Sequence, residues 1–206
     1  MSCDSDLERN NNTHNLFHNQ TTFMNTYIVL LRGINVSGKN KIKMAELRSA
    51  LEDAGFSNVE SYIQSGNIIL DSKIKESEDI SRAVEDTIQS SFGLEVPAIT
   101  LAPSLMEEAI KKNPFLERGV DTKTLLLAFL WNKPEAEHLA SLETVKYPPD
   151  EILINDRLVY YYLPQGSAGT KFTIIFLERR LKTRATSRNW RTCNTLMEMC
   201  KLRSPE

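Results

Sequence analysis

The stretch "GINVSGKN", Gly33 to Asn40, sets a glycine, four residues, a second glycine and a lysine between an apolar run and a helical one. This is the spacing of a phosphate-binding loop, in which backbone N–H groups cradle phosphate oxygens, the lysine reaches them and a following hydroxyl ligates magnesium. Asn40 stands where the hydroxyl belongs. A second polar cluster, "QSGN" (Gln64 to Asn67), lies between two strand-like runs, and a third stretch is strongly basic. From Thr170 to Arg191 there are seven cations (Lys171, Arg179, Arg180, Lys182, Arg184, Arg188, Arg191) against Glu178 alone, a local charge of +6 in a chain whose net charge is −2. All three features point to the chemistry of holding an anion.

The elements around them set the geometry. "TYIVLL" reads as a buried strand, Met44, Leu47, Leu51 and Ala54 recur at helical spacing before Gly55, and "NVESYIQ" and "NIILD" read as two strands joined by a two-residue "SG" turn. Ile80, Val84, Ile88 and Phe92 mark a second helix before Gly93, and "VPAITL" a fourth strand. "SLMEEAIKKNP" carries a capping box, Ser104 with Glu107, and reads as a linking helix stopped by Pro114. A second series follows: "TLLLAFLW", "PEAEHLASLE", "EILIN", "RLVYYYL", a helix after Gly169, an extended piece near 183–185 and a last helix to about Lys201. The expected fold is α+β, two ferredoxin-like (β-α-β-β-α-β) halves with antiparallel sheets, a linking helix and an added C-terminal helix. The expected divisions are residues 1–23 as a disordered leader, 24–101, a linker at 102–123, and 124–206.

That connectivity weighs against an ATPase. Phosphate-loop enzymes use parallel strands, whereas a hairpin forces the "IILD" strand to run against the first one. Asp71, which would hold magnesium, then falls at the opposite end of the sheet from Lys39. The same geometry puts Arg32, Gly33, Asn35, Gly38, Lys39, Gln64, Ser65 and Asn67 on one edge with a helix N-terminus, whose open N–H groups and dipole favour an anion. In the second half, Lys171, Arg188 and Asn189 fall near two helix starts at one sheet end. Each feature also has a structural reading: "QSGN" as a plain hairpin, the glycines as loop formers, Arg188 as a tie between the halves, Trp190 and the Tyr160–Tyr162 run as packing.

Composition narrows the classes further. At 41% hydrophobic and 25% charged residues, the chain is ordinary for a globular protein of 206 residues. No apolar run approaches the ~20 residues of a membrane span, and the N-terminus lacks the charge and apolar core of a signal peptide. Its two N-x-T matches, at Asn11 and Asn19, would matter only in a secreted protein. Three cysteines without a C-x-x-C pair argue against a disulfide framework or zinc site, so Cys193 and Cys200 read as buried thiols. His14 and His18 fall in the leader and His138 in a charged helix, so histidine chemistry and a multi-histidine metal site lack their residues. The cytosol is the expected compartment; no cofactor or catalytic group is identifiable.

The segment from Leu30 to Ser72, with "LLRGINVSGKN" and "YIQSGNIILDS", resembles the N-terminal signature of the DUF1697 family of uncharacterised, mostly bacterial proteins, and "TSRNWRTCNTLMEM" is similar to its C-terminal T-x-R-N-W-x-T element. The resemblance extends from Met24 to about Lys201. It implies a two-part ferredoxin-like fold and no established activity. Family members often carry glycine where this chain has Ser37, and a serine-lysine pair where it has Thr170-Lys171. The leading functional expectation is a cytosolic protein binding a phosphorylated metabolite, nucleotide or nucleic-acid backbone. The alternatives are an enzyme on a small phosphorylated or acyl substrate, using a lysine, tyrosine or carboxylate such as Asp71 or Glu178, and an interaction scaffold.

Overall fold

The central strand of each half is apolar on both faces, and the architecture follows from what covers those faces. A computed structural model describes residues 24–36, 38 and 40–203. The segment read as a leader, with Cys3, His14 and His18, lies outside the described residues, as do Ser37, Lys39 and residues 204–206. The first half runs β1 (Asn25–Leu31), α1 (Met44–Asp53), β2 (Ser57–Tyr62), β3 (Asn67–Ser72), α2 (Ser77–Phe92) and β4 (Ala98–Leu101). After α3 (Pro103–Lys111) and two short 3-10 turns, the order repeats as β5 (Leu125–Leu130), α4 (Ala136–Glu143), β6 (Glu151–Asn155), β7 (Leu158–Tyr162), α5 (Ile174–Leu181) and β8 (Ala185–Asn189), and α6 (Trp190–Lys201) closes the chain. The sheets are ordered β2-β3-β1-β4 and β6-β7-β5-β8, wholly antiparallel, so both halves are ferredoxin-like.

Strand alternation divides the core into layers. Tyr27, Val29 and Leu31 of β1 face α1 and α2 and pack with Leu47, Leu51, Ile80, Val84 and Ile88. Ile28 and Leu30 point the other way, into a layer built with Met106 and Ala109 of α3, Leu196 and Cys200 of α6, and Leu125, Leu127 and Phe129 of β5. Ala128 and Leu130 of β5 face α4 and α5. The molecule is therefore helix, sheet, helix, sheet, helix. A ferredoxin-like sheet normally has helices on one face only; here the two bare faces close on the shared α3 and α6 layer. This is why both central strands read as continuous apolar runs.

Three local expectations are corrected. The hairpin after β2 has four residues, Ile63 to Gly66, because Tyr62 pairs with Asn67. The capping box does not form: Ala102 is the N-cap of α3 and Pro103, whose fixed φ suits the first turn, starts the helix one residue before Ser104. The segment read as the start of the last helix is mostly strand. β8 pairs residue by residue with β5, from Ala185 opposite Leu130 to Asn189 opposite Leu126, so Arg188 sits in a sheet.

Candidate functional site at the junction of the halves

The chain leaves the C-terminal end of β1 into the loop that resembles a phosphate cradle, and two asparagines close that loop on itself. The Asn35 amide donates to the carbonyls of Ile42 and Gln64, both at 2.9 Å, while its Oδ1 accepts from the Ile42 N–H at 3.0 Å. The Asn40 side chain donates to the Gly33 carbonyl at 3.1 Å. Both residues adopt positive φ (53° and 45°), which asparagine tolerates better than most. Asn40 is thus a loop closure. Gly33 and Gly38 are exposed beside it, and α1 begins after Lys43 with no side-chain cap. Lys39, the residue that would reach a phosphate, lies outside the described residues.

The hairpin packs under this loop with little tolerance. A Cβ on Gly66 would meet Leu31 Cβ at 2.6 Å, and the Leu31 N–H donates to the Gly66 carbonyl at 2.8 Å. Asn67 is fully buried; its amide donates to the Tyr62 carbonyl and to Ser65 Oγ. Its Oδ1 accepts from Arg188 Nε of the other half.

Arg188 spends its whole guanidinium on protein acceptors. Nη1 donates to Thr186 Oγ1 and the Ser187 carbonyl, and Nη2 to the carbonyls of Leu31, Ser65 and Gly66 at 2.7, 3.2 and 3.3 Å. The residue is only 9% exposed, and burial pulls its pKa down from 12.5 to about 10, so it remains charged at neutral pH. With five donors engaged, it has none to offer a ligand. Asn189, its neighbour, is the N-cap of α6, accepting from the Thr192 N–H at 2.8 Å.

Arg32, one residue beyond β1, behaves differently. Its Nη2 donates to Glu178 Oε2 of α5 at 2.7 Å, and its side chain is 31% exposed against 18% for Glu178. Among the described residues no other atom of this guanidinium has a hydrogen-bond partner. Glu178 is held from behind: its Oε1 accepts from the Ala185 N–H at 2.9 Å. Lys182, Thr183 and Arg184 complete a depression of about 300 Å³ around the pair. Three cations face one carboxylate there, and the exposed Lys182 and Arg184 have no carboxylate within 4.0 Å among the described residues.

The sequence-predicted residues therefore separate. Arg32, Gly33, Asn35, Gln64, Ser65, Asn67 and Arg188 gather at one junction, but Asn35, Asn67 and Arg188 are bonded within the protein. Lys171 stands apart, before the start of α5, with its ammonium 5.2 Å from the centre of the Tyr147 ring. Tyr160 and Tyr161 are buried on opposite faces of the second sheet, and Trp190 packs against the middle layer, which leaves neither tyrosine ring exposed for stacking. Asp71, at the far end of β1 beside Thr26, accepts from Thr26 Oγ1 and the Asn58 amide. Lys182 and Arg184 were absent from the predicted set although they lie in the same basic run.

Two ferredoxin-like halves sharing a helical layer define a tandem α+β class, with a cationic junction between its repeats. The chain belongs to the family described as "Protein of unknown function (DUF1697)", whose model matches residues 24–160. The match ends within β7, so α5, β8 and α6 lie beyond it. Among solved structures, the chain is similar to the conserved bacterial protein SP0830 from Streptococcus pneumoniae, at 26% identity and a TM-score of 0.67 over 87% of this chain and 99% of that one. A comparison with curated proteins finds no match.

Proposed function

We propose that this DUF1697 protein is a cytosolic anion-binding protein whose ligand carries a phosphate group, held at the junction by Arg32, Lys182 and Arg184. The observation that carries the reading is the incomplete neutralisation of Arg32. Glu178 engages one edge of the guanidinium and leaves the rest facing solvent beside two exposed cations. A planar guanidinium with open donors presents the bidentate geometry that phosphate oxygens match, and Glu178 acts as the internal stand-in that a ligand would displace or share. Gly33, next to Arg32 in the chain, and Gly38 are exposed, so the loop backbone there is open to approach. The placement of β1, bonded through Leu31 and Arg32 to both the hairpin and Pro97, holds Arg32 in position before a ligand arrives.

Titration of inorganic phosphate and of short oligonucleotides into the wild-type chain and Arg32→Ala tests this. Binding of phosphate weakened at least tenfold by the substitution supports the assignment; equal binding by the two proteins overturns it. Steep loss of oligonucleotide binding with salt would instead mark a reader of nucleic-acid backbone.

A further inference from the structure

We propose that the phosphate-bearing ligand is a 5′-mononucleotide whose base stacks on Trp131; the proposal rests on the anion-binding reading above and extends it to a second cleft. Arg184 belongs to two depressions at once. On one side lies the Arg32–Glu178 site. On the other, a cleft of about 220 Å³ opens between the two halves, with Ser81, Ile99 and Thr100 on the first half and Trp131, Arg157 and Arg184 on the second. Together the two depressions reach the range of small-molecule sites, ~300–1,000 Å³.

Trp131 and Arg184 are held as cross-strand neighbours. Leu130 is paired with Ala185, and the Trp131 N–H donates to the Arg184 carbonyl at 3.0 Å. Trp131 and Arg184 follow directly on the last pair of the ladder, and both line the cleft. The strand end that bears Trp131 is also fixed from the turn before β7, where the Leu130 N–H donates to the Arg157 carbonyl at 2.9 Å. Trp131 packs partly against the middle layer and leaves the rest of its ring on the cleft.

The charges sort by side. On the α2 side the acids have partners: Glu85 accepts from the Ala98 N–H at 2.7 Å, and Glu78 lies 3.9 Å from Arg157. Arg82 is paired with Asp79. The floor is a buried hydroxyl pair, with Ser81 donating to Thr100 at 2.9 Å, and the apolar Ile99. The surplus of positive charge is on the Arg184 side, with Lys182 and Arg32 next to it. A ligand with a planar ring and an adjoining dianion suits this order: the ring against the indole, over the side of the cleft whose charges are paired, and the phosphate against the three cations. The small cleft volume favours one base over a run of them.

Trp131 and Trp190 are the two tryptophans of the chain, so Trp190→Phe makes Trp131 the sole indole reporter. AMP, ribose 5-phosphate, inorganic phosphate, adenosine and a short oligoadenylate are titrated into this full-length variant by fluorescence and calorimetry. The expected result is quenching by AMP, with AMP binding at least tenfold tighter than ribose 5-phosphate, phosphate or adenosine. Trp131→Leu abolishes the preference for AMP while phosphate binding persists; if that variant does not fold, the quenching and ligand ranking decide alone. Ribose 5-phosphate and phosphate binding as tightly as AMP, without quenching, overturns the base site and leaves the anion site standing. Adenosine equalling AMP, or the oligonucleotide binding tenfold tighter than AMP, also overturns the proposal. Failure of all the phosphates to bind removes both readings.

Discussion

Arg188 on β8 donates a 2.7 Å hydrogen bond to the main-chain carbonyl of Leu31, the last residue of β1, across 157 positions of sequence. The same guanidinium reaches Ser65, Gly66 and Asn67, so one side chain fixes the end of β1 and the hairpin beneath it relative to the second sheet. The rigid edge that presents Arg32 is thus assembled from the far half of the chain. Buried cations are normally matched by a carboxylate; this one is matched by carbonyl and hydroxyl oxygens arranged around a planar fork, which only arginine can fill.

Arg188→Ala therefore leaves several buried acceptors without donors, each costing roughly 1–3 kcal/mol. We expect urea denaturation to show a loss of at least ~3 kcal/mol. Arg188→Lys should recover little of it, because an ammonium cannot span Thr186, Asn67 and Leu31 together. A loss below ~1 kcal/mol for Arg188→Ala would show that the guanidinium does not tie the halves.

Gly66 and Gly33 have similar backbone angles, φ of 70° and 72°, but different surroundings. An added methyl at Gly66 meets Leu31 Cβ at 2.6 Å, whereas at Gly33 nothing lies within 4 Å. Gly33→Ala should cost only the backbone strain, about 1 kcal/mol. Gly66→Ala adds a steric clash in a packed core, typically ~1–3 kcal/mol more. Thermal unfolding of the two variants side by side would contradict this if their losses were equal.

Burial pushes the Cys193 thiol from 9.0 up to about 12 and the Cys200 thiol up to about 11. Between about pH 9 and 11 the unfolded chain releases these protons and the folded chain keeps them. The contribution is fully present below pH 9 and is lost as pH rises through the folded values. The stability advantage of wild type over Cys193→Ala should accordingly shrink from pH 9 toward pH 11 in equilibrium unfolding. A difference that stays constant over this interval would show that the thiol titrates normally.

The two-part fold was legible because its signals are local. Met44, Leu47 and Leu51, and Ile80, Val84 and Ile88, face the core as their spacing predicts, and the two central strands announce coverage on both faces by their unbroken apolar runs. The extent of β8 was not legible: an extended piece near 183–185 could be read, but "ATSRN" is polar, and its strand form out to Asn189 comes from pairing with β5 and from the acceptors that Arg188 meets 121 to 157 residues away. The four-residue hairpin was hidden for the same reason, since Gly66 must pass beneath Leu31. In the candidate site, convergence of Arg32, Asn35 and the "QSGN" turn could be read from topology. That Asn35 bonds to Ile42 and Gln64, that Asn67 and Arg188 bond to each other across the halves, and that Lys182 and Arg184 remain exposed depend on contacts between residues far apart in the chain or on loop closure, which spacing alone does not show. The basic run signalled the right region without ranking its members.

The most direct test of the anion site uses the two ends of the Arg32–Glu178 pair in opposite directions. Glu178→Gln retains an oxygen for the Ala185 N–H and removes the charge that occupies Arg32. Calorimetric titration of inorganic phosphate at low ionic strength should give binding several-fold tighter than wild type for Glu178→Gln, and at least tenfold weaker for Arg32→Ala. Identical affinities for wild type and both variants would contradict an anion site at this junction.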